Sequence, residues 1–308
     1  MTTVNHPLSA DDRDAMARIR EAAAPAKGIL ERVPFDAMME HVPPALGAIY
    51  EAAEVGGVPG WWCRPQDAPE KAAILYFHGG AYTVGSAKAH RNFVGHIAVR
   101  TGAAAFVPDY RLAPEHPFPA AVEDARAAYR GLARQGVADI TLAGDSAGGG
   151  LALALLSLTV AEARGGGGQH PKGAAVMSPW TDLSLSGASL KTRADADPFL
   201  TEEALASAAR LYLGQNDPRD PLASPLFGDL AGLPPILLHV GEDEVLLDDA
   251  RRYADRVSAN DGNIQLHIWE GMPHVFLSNI GTLGAANDAL GDLGAFLREQ
   301  SYFLDEGG

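Results

Sequence analysis

Short apolar runs alternate with longer helical patterns along most of this chain. Six runs of strand length stand out from residue 72 onward: Ala72 to Phe77, Ala103 to Val107, Ile140 to Ala143, Ala174 to Ser178, Ile236 to Val240 and Ile264 to Trp269. Between them lie helix-length segments, His90 to Thr101, Val122 to Gln135, Ala147 to Arg164 and Asp248 to Asn260, each closed by a nearby glycine. A glycine just past the last turn is a helix stop signal. Repeated strand, helix, strand order predicts a mostly parallel sheet with helices on both faces. Val58 to Arg64 is expected to add an antiparallel edge strand.

Two segments break this alternation. Residues 1–50 offer a helix opened by Ser9 and running through Met16 and Ile19 toward Pro25. Residues 182–226 interrupt the crossover between two strands and hold a helix opened by Thr201, with Glu202 and Glu203 in its first turn. Insertions of that length usually have a function. Both are read as parts of one helical cap over the sheet, with residues 51–308 forming the catalytic domain that carries the second piece.

Composition narrows the class. The chain has 308 residues, of which 47% are hydrophobic and 20% charged, enough apolar content for a sizeable core. A net charge of −15 repels phosphate backbones and anionic lipid, so neither nucleic acid nor a membrane is an expected partner. Cys63 is the one cysteine, which excludes an intrachain disulfide and a CxxC zinc site. With no leader-like stretch in residues 1–12 and no apolar run judged long enough to span a bilayer, a soluble cytoplasmic protein is expected.

The clearest chemical signal is Gly144-Asp145-Ser146-Ala147-Gly148, lying directly between a predicted strand and a predicted helix. A sharp turn there lifts a serine hydroxyl above the sheet edge. A serine attacking a carbonyl needs donors for the developing oxyanion. His78-Gly79-Gly80-Ala81 follows the first parallel strand, where the N–H groups of Gly80 and Ala81 can join that of Ala147, while His78 fixes the turn. The serine also needs a base. Of ten histidines, six precede Ser146, against the serine, acid, histidine order of such a sheet, His239 and His267 fall inside predicted strands and His170 in a glycine-rich loop, which leaves His274 on the loop after the last strand. For the orienting carboxylate, Asp243 is chosen from Glu242-Asp243-Glu244. Asp248 and Asp249 suit a helix N-terminus, and the rest of the acidic run reads as solvated surface.

Taken with Asp109-Tyr110-Arg111-Leu112-Ala113-Pro114-Glu115, Ser178-Pro179-Trp180, Asp243 with Asp248, and Gly271-Met272-Pro273-His274, these motifs occur in order over residues 74–276. Together they resemble the hormone-sensitive-lipase-like (bacterial family IV) carboxylesterases of the α/β-hydrolase fold. The resemblance implies an eight-stranded-type sheet, a Ser146, Asp243, His274 triad, and an oxyanion hole from Gly79, Gly80, Ala81 and Ala147. Two positions depart from the pattern: Ala81 replaces the usual third glycine of the loop, and Ala89 a small polar residue before His90.

The expected function is a serine carboxylesterase for short to medium acyl esters, with lactones as a finer variant. Tyr82, Trp180, Phe199, Leu200, Met38 and Met39 are the expected apolar pocket, and the chemistry requires no metal or organic cofactor. The rival readings are a catalytically silent ligand-binding protein on the same fold and an amidase or deacetylase using the same triad. A homodimer is compatible with each of these.

Overall fold

The structure is a computed structural model that describes residues 1–28 and 30–302. The six expected parallel strands are all present: β4 (Ala72–Phe77), β5 (Ala104–Pro108), β6 (Asp139–Asp145), β7 (Ala174–Met177), β8 (Ile236–Gly241) and β9 (Ile264–Trp269). Three others join them, β1 (Thr2–His6), β2 (Ala48–Val55) and β3 (Val58–Pro65), giving nine strands among the described residues where eight were expected. Their order is β1-β9-β8-β7-β6-β4-β5-β3-β2. β3 runs antiparallel as expected but is not an edge, because β2 pairs outside it as a hairpin. β1 pairs parallel with β9, so the first residues belong to the sheet and not to a cap.

The helices obey the stop and start signals. Ser86 caps α3 (Ala87–Thr101) by accepting from the Ala89 N–H at 3.1 Å, and Gly102 ends it at φ 77°, a conformation that costs a residue without Cβ nothing. α4 (Ala120–Arg134), α5 (Ser146–Arg164) and α8 (Leu247–Ala259) pack on one sheet face; α3 and α9 (Gly284–Tyr302) cover the other. α5 is, by length and mean composition, apolar enough to cross a bilayer, but 72% of its most apolar 18-residue window is buried in the core, with Leu151, Leu153, Leu155 and Leu156 out of contact with solvent.

The irregular segments meet above the strand ends. Residues 1–50 contribute α1 (Ala10–Ala23), capped by Ser9, and α2 (Arg32–Glu40). The crossover from β7 to β8 contributes α6 (Ser189–Thr192) and α7 (Glu202–Leu213), the latter capped by the Thr201 hydroxyl at 3.1 Å from the Ala204 N–H. The two pieces touch: the Gly28 N–H donates to the Phe199 carbonyl at 2.8 Å, and Lys27 Nζ donates to the Ala194 carbonyl at 2.7 Å.

Candidate active site

The serine turn is set by steric necessity. Ser146 sits at φ 54° between β6 and α5, a left-handed conformation that side chains other than glycine rarely adopt. The glycines two residues to either side have no room for a side chain: a Cβ on Gly148 would lie 2.1 Å from the Phe77 carbonyl oxygen, and one on Gly144 would lie 2.5 Å from the Gly148 oxygen. Glycine at both positions therefore lets β6 and α5 close against β4 while the Ser146 hydroxyl is turned outward.

That hydroxyl meets the predicted histidine. His274 Nε2 lies 2.9 Å from Ser146 Oγ. The other ring nitrogen, Nδ1, lies 3.1 Å from Glu244 Oε1, and the Glu244 side chain is wholly buried. Glu244 Oε2 accepts from Ser178 Oγ at 2.7 Å and from the Gly241 N–H at 3.0 Å, so both carboxylate oxygens are held. Ser178 Oγ in turn accepts from the Val275 N–H at 3.0 Å, and both Ser178 and Val275 adopt positive φ. The β7 and β9 loops are thereby locked around the carboxylate. Burial opposes charge on His274, but Glu244, through its charge and its hydrogen bond, with Asp197 and Asp145 farther off, raises the imidazole pKa above its ordinary value.

The expected acid is displaced by one position. Asp243 does not reach His274; its Oδ2 pairs with Arg20 of α1 at 2.6 Å, and its Oδ1 lies 4.0 Å from Arg193. The backbone after β8 directs consecutive side chains apart, so the buried direction falls to Glu244 and the cap-facing one to Asp243. Asp248 and Asp249 lie in the first turn of α8 as expected, and their carboxylates also tie down the cap crossover, Asp248 accepting from the Ser189 N–H at 2.9 Å and Asp249 from the Thr181 and Asp182 N–H groups.

The oxyanion loop is built as the motif suggests, with one change. The Gly79 N–H donates to Asp145 Oδ1 at 3.0 Å, which removes it from the set of free donors. Tyr76 donates to the same oxygen at 2.6 Å. Gly80 and Ala81 line the cavity beside Ser146, and among the described residues neither N–H has a protein acceptor. Gly80, Ala81 and Tyr82 all have positive φ, so the substitution of alanine for the third glycine keeps the loop conformation. His78 lies under the loop, stacked on Tyr110 with centroids 4.3 Å apart, and its Nδ1 is 2.7 Å from the Gly79 carbonyl. Burial pushes its pKa down to about 3, which makes it a neutral brace for the turn.

A cavity of about 650 Å³ opens over Ser146 and His274. Met38, Met39, Phe199 and Leu200 line it as expected, joined by Ile19, Ala22, Leu30, Phe35 and Leu205, which sequence reasoning did not single out. Tyr82 and Trp180 do not line it. Tyr82 stacks on Tyr212 at 3.9 Å, and the Trp180 indole is fully buried with its N–H on the Asp182 carbonyl at 3.2 Å. Buried Asp197 ties the lining to the acid loop, accepting from the N–H groups of Phe199, Leu200 and Val245. The arrangement can pass a proton from the serine to the imidazole, hold the imidazolium by a buried carboxylate, and offer two or three N–H groups to an oxyanion.

A serine–histidine–carboxylate chain at the carboxyl ends of β6, β9 and β8 defines a hydrolase of the α/β class. Comparison with known proteins agrees: the alpha/beta hydrolase fold family matches residues 74–278. An acetyl-hydrolase of Streptomyces hygroscopicus is 42% identical over 250 residues, covering 80% of this chain and 82% of its own. The crystal structure of an esterase from the bacterial hormone-sensitive lipase family superposes with a TM-score of 0.86 at 41% identity, covering 95% of this chain and 99% of that one. That of EstE5 soaked with p-nitrophenyl butyrate does so with a TM-score of 0.83 at 41% identity, covering 93% and 98%. The chain belongs to the α/β-hydrolase fold family and, within it, to the bacterial hormone-sensitive-lipase-like serine esterases.

Proposed function

We propose that this esterase hydrolyses short to medium acyl esters through an acyl-enzyme in which Ser146 attacks, His274 carries the proton and Glu244 orients the imidazole. The observation that carries the reading is the unbroken chain Ser146 Oγ, His274, Glu244, at 2.9 and 3.1 Å. His274 takes the serine proton as the carbonyl is attacked and returns it to the leaving alcohol. It then activates the water that releases the acid. Glu244 keeps the proton of neutral His274 on Nδ1, so that Nε2 is the acceptor, and it stabilises the cation that forms. The N–H groups of Gly80, Ala81 and Ala147 are assigned to the oxyanion.

The cap-lined cavity supports the size class. Each methylene that fits gains about 0.8 kcal/mol, and one that does not fit gains nothing. For p-nitrophenyl esters, kcat/KM is expected to rise to a maximum near about four to eight carbons and then fall. A rate still climbing at sixteen carbons would replace this closed pocket with an open lipase groove. Lactones are small enough to enter as cyclic esters and belong in the same screen. The reading places the enzyme in the cytoplasm, acting on small esters; a homodimer would leave its chemistry unchanged.

A silent receptor on this fold is disfavoured by the intact proton path, and a burst of p-nitrophenol from a short activated ester separates the two. An amidase or deacetylase would use the same residues, and matched ester and amide substrates distinguish it.

A further inference from the structure

Far along the sheet from the serine turn, at the edge formed by β1, three potential metal ligands converge from three elements. His6 ends β1, His267 lies in β9 and Asp292 projects from α9. The parallel pairing of β1 with β9 sets Val4 beside His267 and His6 beside Trp269, so the two imidazoles fall diagonally on adjacent strands. His6 Nε2 and His267 Nδ1 are 3.1 Å apart, and that same Nδ1 is 3.5 Å from Asp292 Oδ2. All three ligand atoms lie within 4.8 Å of one another.

A hydrogen bond between the two rings accounts for only part of this. One ring nitrogen has a single proton or a single lone pair, so His267 Nδ1 serves His6 and Asp292 together only through a shared three-centre bond, weaker toward each than a full one. A cation placed among the three serves all of them once the Asp292 carboxylate closes on it, because the three ligand atoms are spread over as much as 4.8 Å. Two donors held at about 2.0–2.1 Å on a tetrahedron are separated by about 3.4 Å, which the two short separations bracket. The rings are also held in place. His6 lies flat on Trp269 with centroids 3.7 Å apart, and the Trp269 indole N–H donates to His239 Nδ1 at 3.0 Å. His267 is buried, whereas Asp292 is exposed, which leaves an entry path and a carboxylate free to swing onto the ion. Asp288, one helical turn before Asp292, adds negative charge on the same stripe of α9.

We propose that His6, His267 and Asp292 form a binding site for one divalent cation of the zinc class. Two imidazole nitrogens and one carboxylate oxygen suit Zn²⁺ better than the harder Mg²⁺, which prefers an all-oxygen octahedral shell. The fourth position would be taken by water. The ion would staple β1 to β9 and α9, and so fix the strand from which α1 and its Arg20 depart. Its role is structural, separate from the ester chemistry.

The test is calorimetric titration of tag-free protein with ZnCl2, alongside thermal unfolding with Zn²⁺ or with EDTA. The site predicts saturable binding of one ion and a Tm that rises with Zn²⁺ concentration. His6→Gln and Asp292→Asn should each weaken binding at least tenfold and abolish the Tm rise, while keeping the wild-type rate on a p-nitrophenyl ester, which certifies the fold. Absence of saturable binding by the wild type, or wild-type affinity in either active variant, would overturn the proposal.

Discussion

In the proposed mechanism the turn that carries Ser146 and the loop that carries Glu244 serve adjacent parts of one reaction, yet they are specified in opposite ways. At the serine turn, backbone crowding decides: Gly144 and Gly148 have carbonyl oxygens where a Cβ would go, and Ser146 holds a left-handed φ. In the acid loop, three carboxylates in a row are chemically equivalent as sequence, and contacts from distant segments choose among them. Ser178 Oγ, 66 residues away, joins the nearby Gly241 N–H in drawing Glu244 inward, and Arg20 of α1 draws Asp243 toward the cap. The serine turn leaves a five-residue signature even though β4 supplies much of its crowding, whereas nothing within three adjacent carboxylates marks which of them faces the histidine.

That contrast explains what could be read from the chain. The six parallel strands, the caps at Ser9 and Thr201, Ser146, His274 and the oxyanion loop all rest on patterns a few residues wide. β1 escapes the pattern because Thr2–His6 is nearly all polar, and β2 because Glu51 and Glu54 break Ala48–Val55 into apolar pieces of at most three residues. Tyr82 and Trp180 stand in motifs beside the site, but their rings are consumed by packing against Tyr212 and within the core. Gly79 joins the oxyanion donors only through the family resemblance, and the Asp145 side chain that occupies its N–H, 66 residues away, leaves no local mark.

The comparison can be broken at either end. The largest effect is expected for Ser146→Ala, which removes the nucleophile but leaves the turn: kcat should fall by at least about 10³-fold with unfolding unchanged, as measured by steady-state kinetics and denaturant titration. Gly148→Ala should instead act on the fold. With the Phe77 and His78 carbonyl oxygens 2.1 and 2.4 Å from the new Cβ, about 3 kcal/mol of stability should be lost, read by the same titration. If Gly148→Ala proved as stable as the wild type, the crowding account of the turn would fail.

A smaller change is expected where the cap meets the acid loop. The Arg20–Asp243 pair is partly exposed, 34% and 23% at the two side chains, and such pairs contribute about 0–1 kcal/mol. Arg20→Ala should therefore alter kcat/KM only a few-fold, mostly through KM, with the effect shrinking in high salt. A loss approaching that of Ser146→Ala would mean that Asp243 and its partner belong to the proton path.

The acid itself gives the most direct test. The pH profile of kcat/KM should be measured for the wild type, Glu244→Gln and Asp243→Asn on one short p-nitrophenyl ester. His274 must be neutral to accept the serine proton, so activity rises as pH increases through its pKa, and that limb should lie above the ordinary histidine value of 6.5. Glu244→Gln removes the charge that raises this pKa and leaves burial to lower it, so the limb should move to lower pH while the plateau falls by about 10²-fold or more. Asp243→Asn should keep the limb in place and stay within a few-fold of wild type. The reverse ranking, with Asp243→Asn crippled and Glu244→Gln near wild type, would contradict the assignment of Glu244.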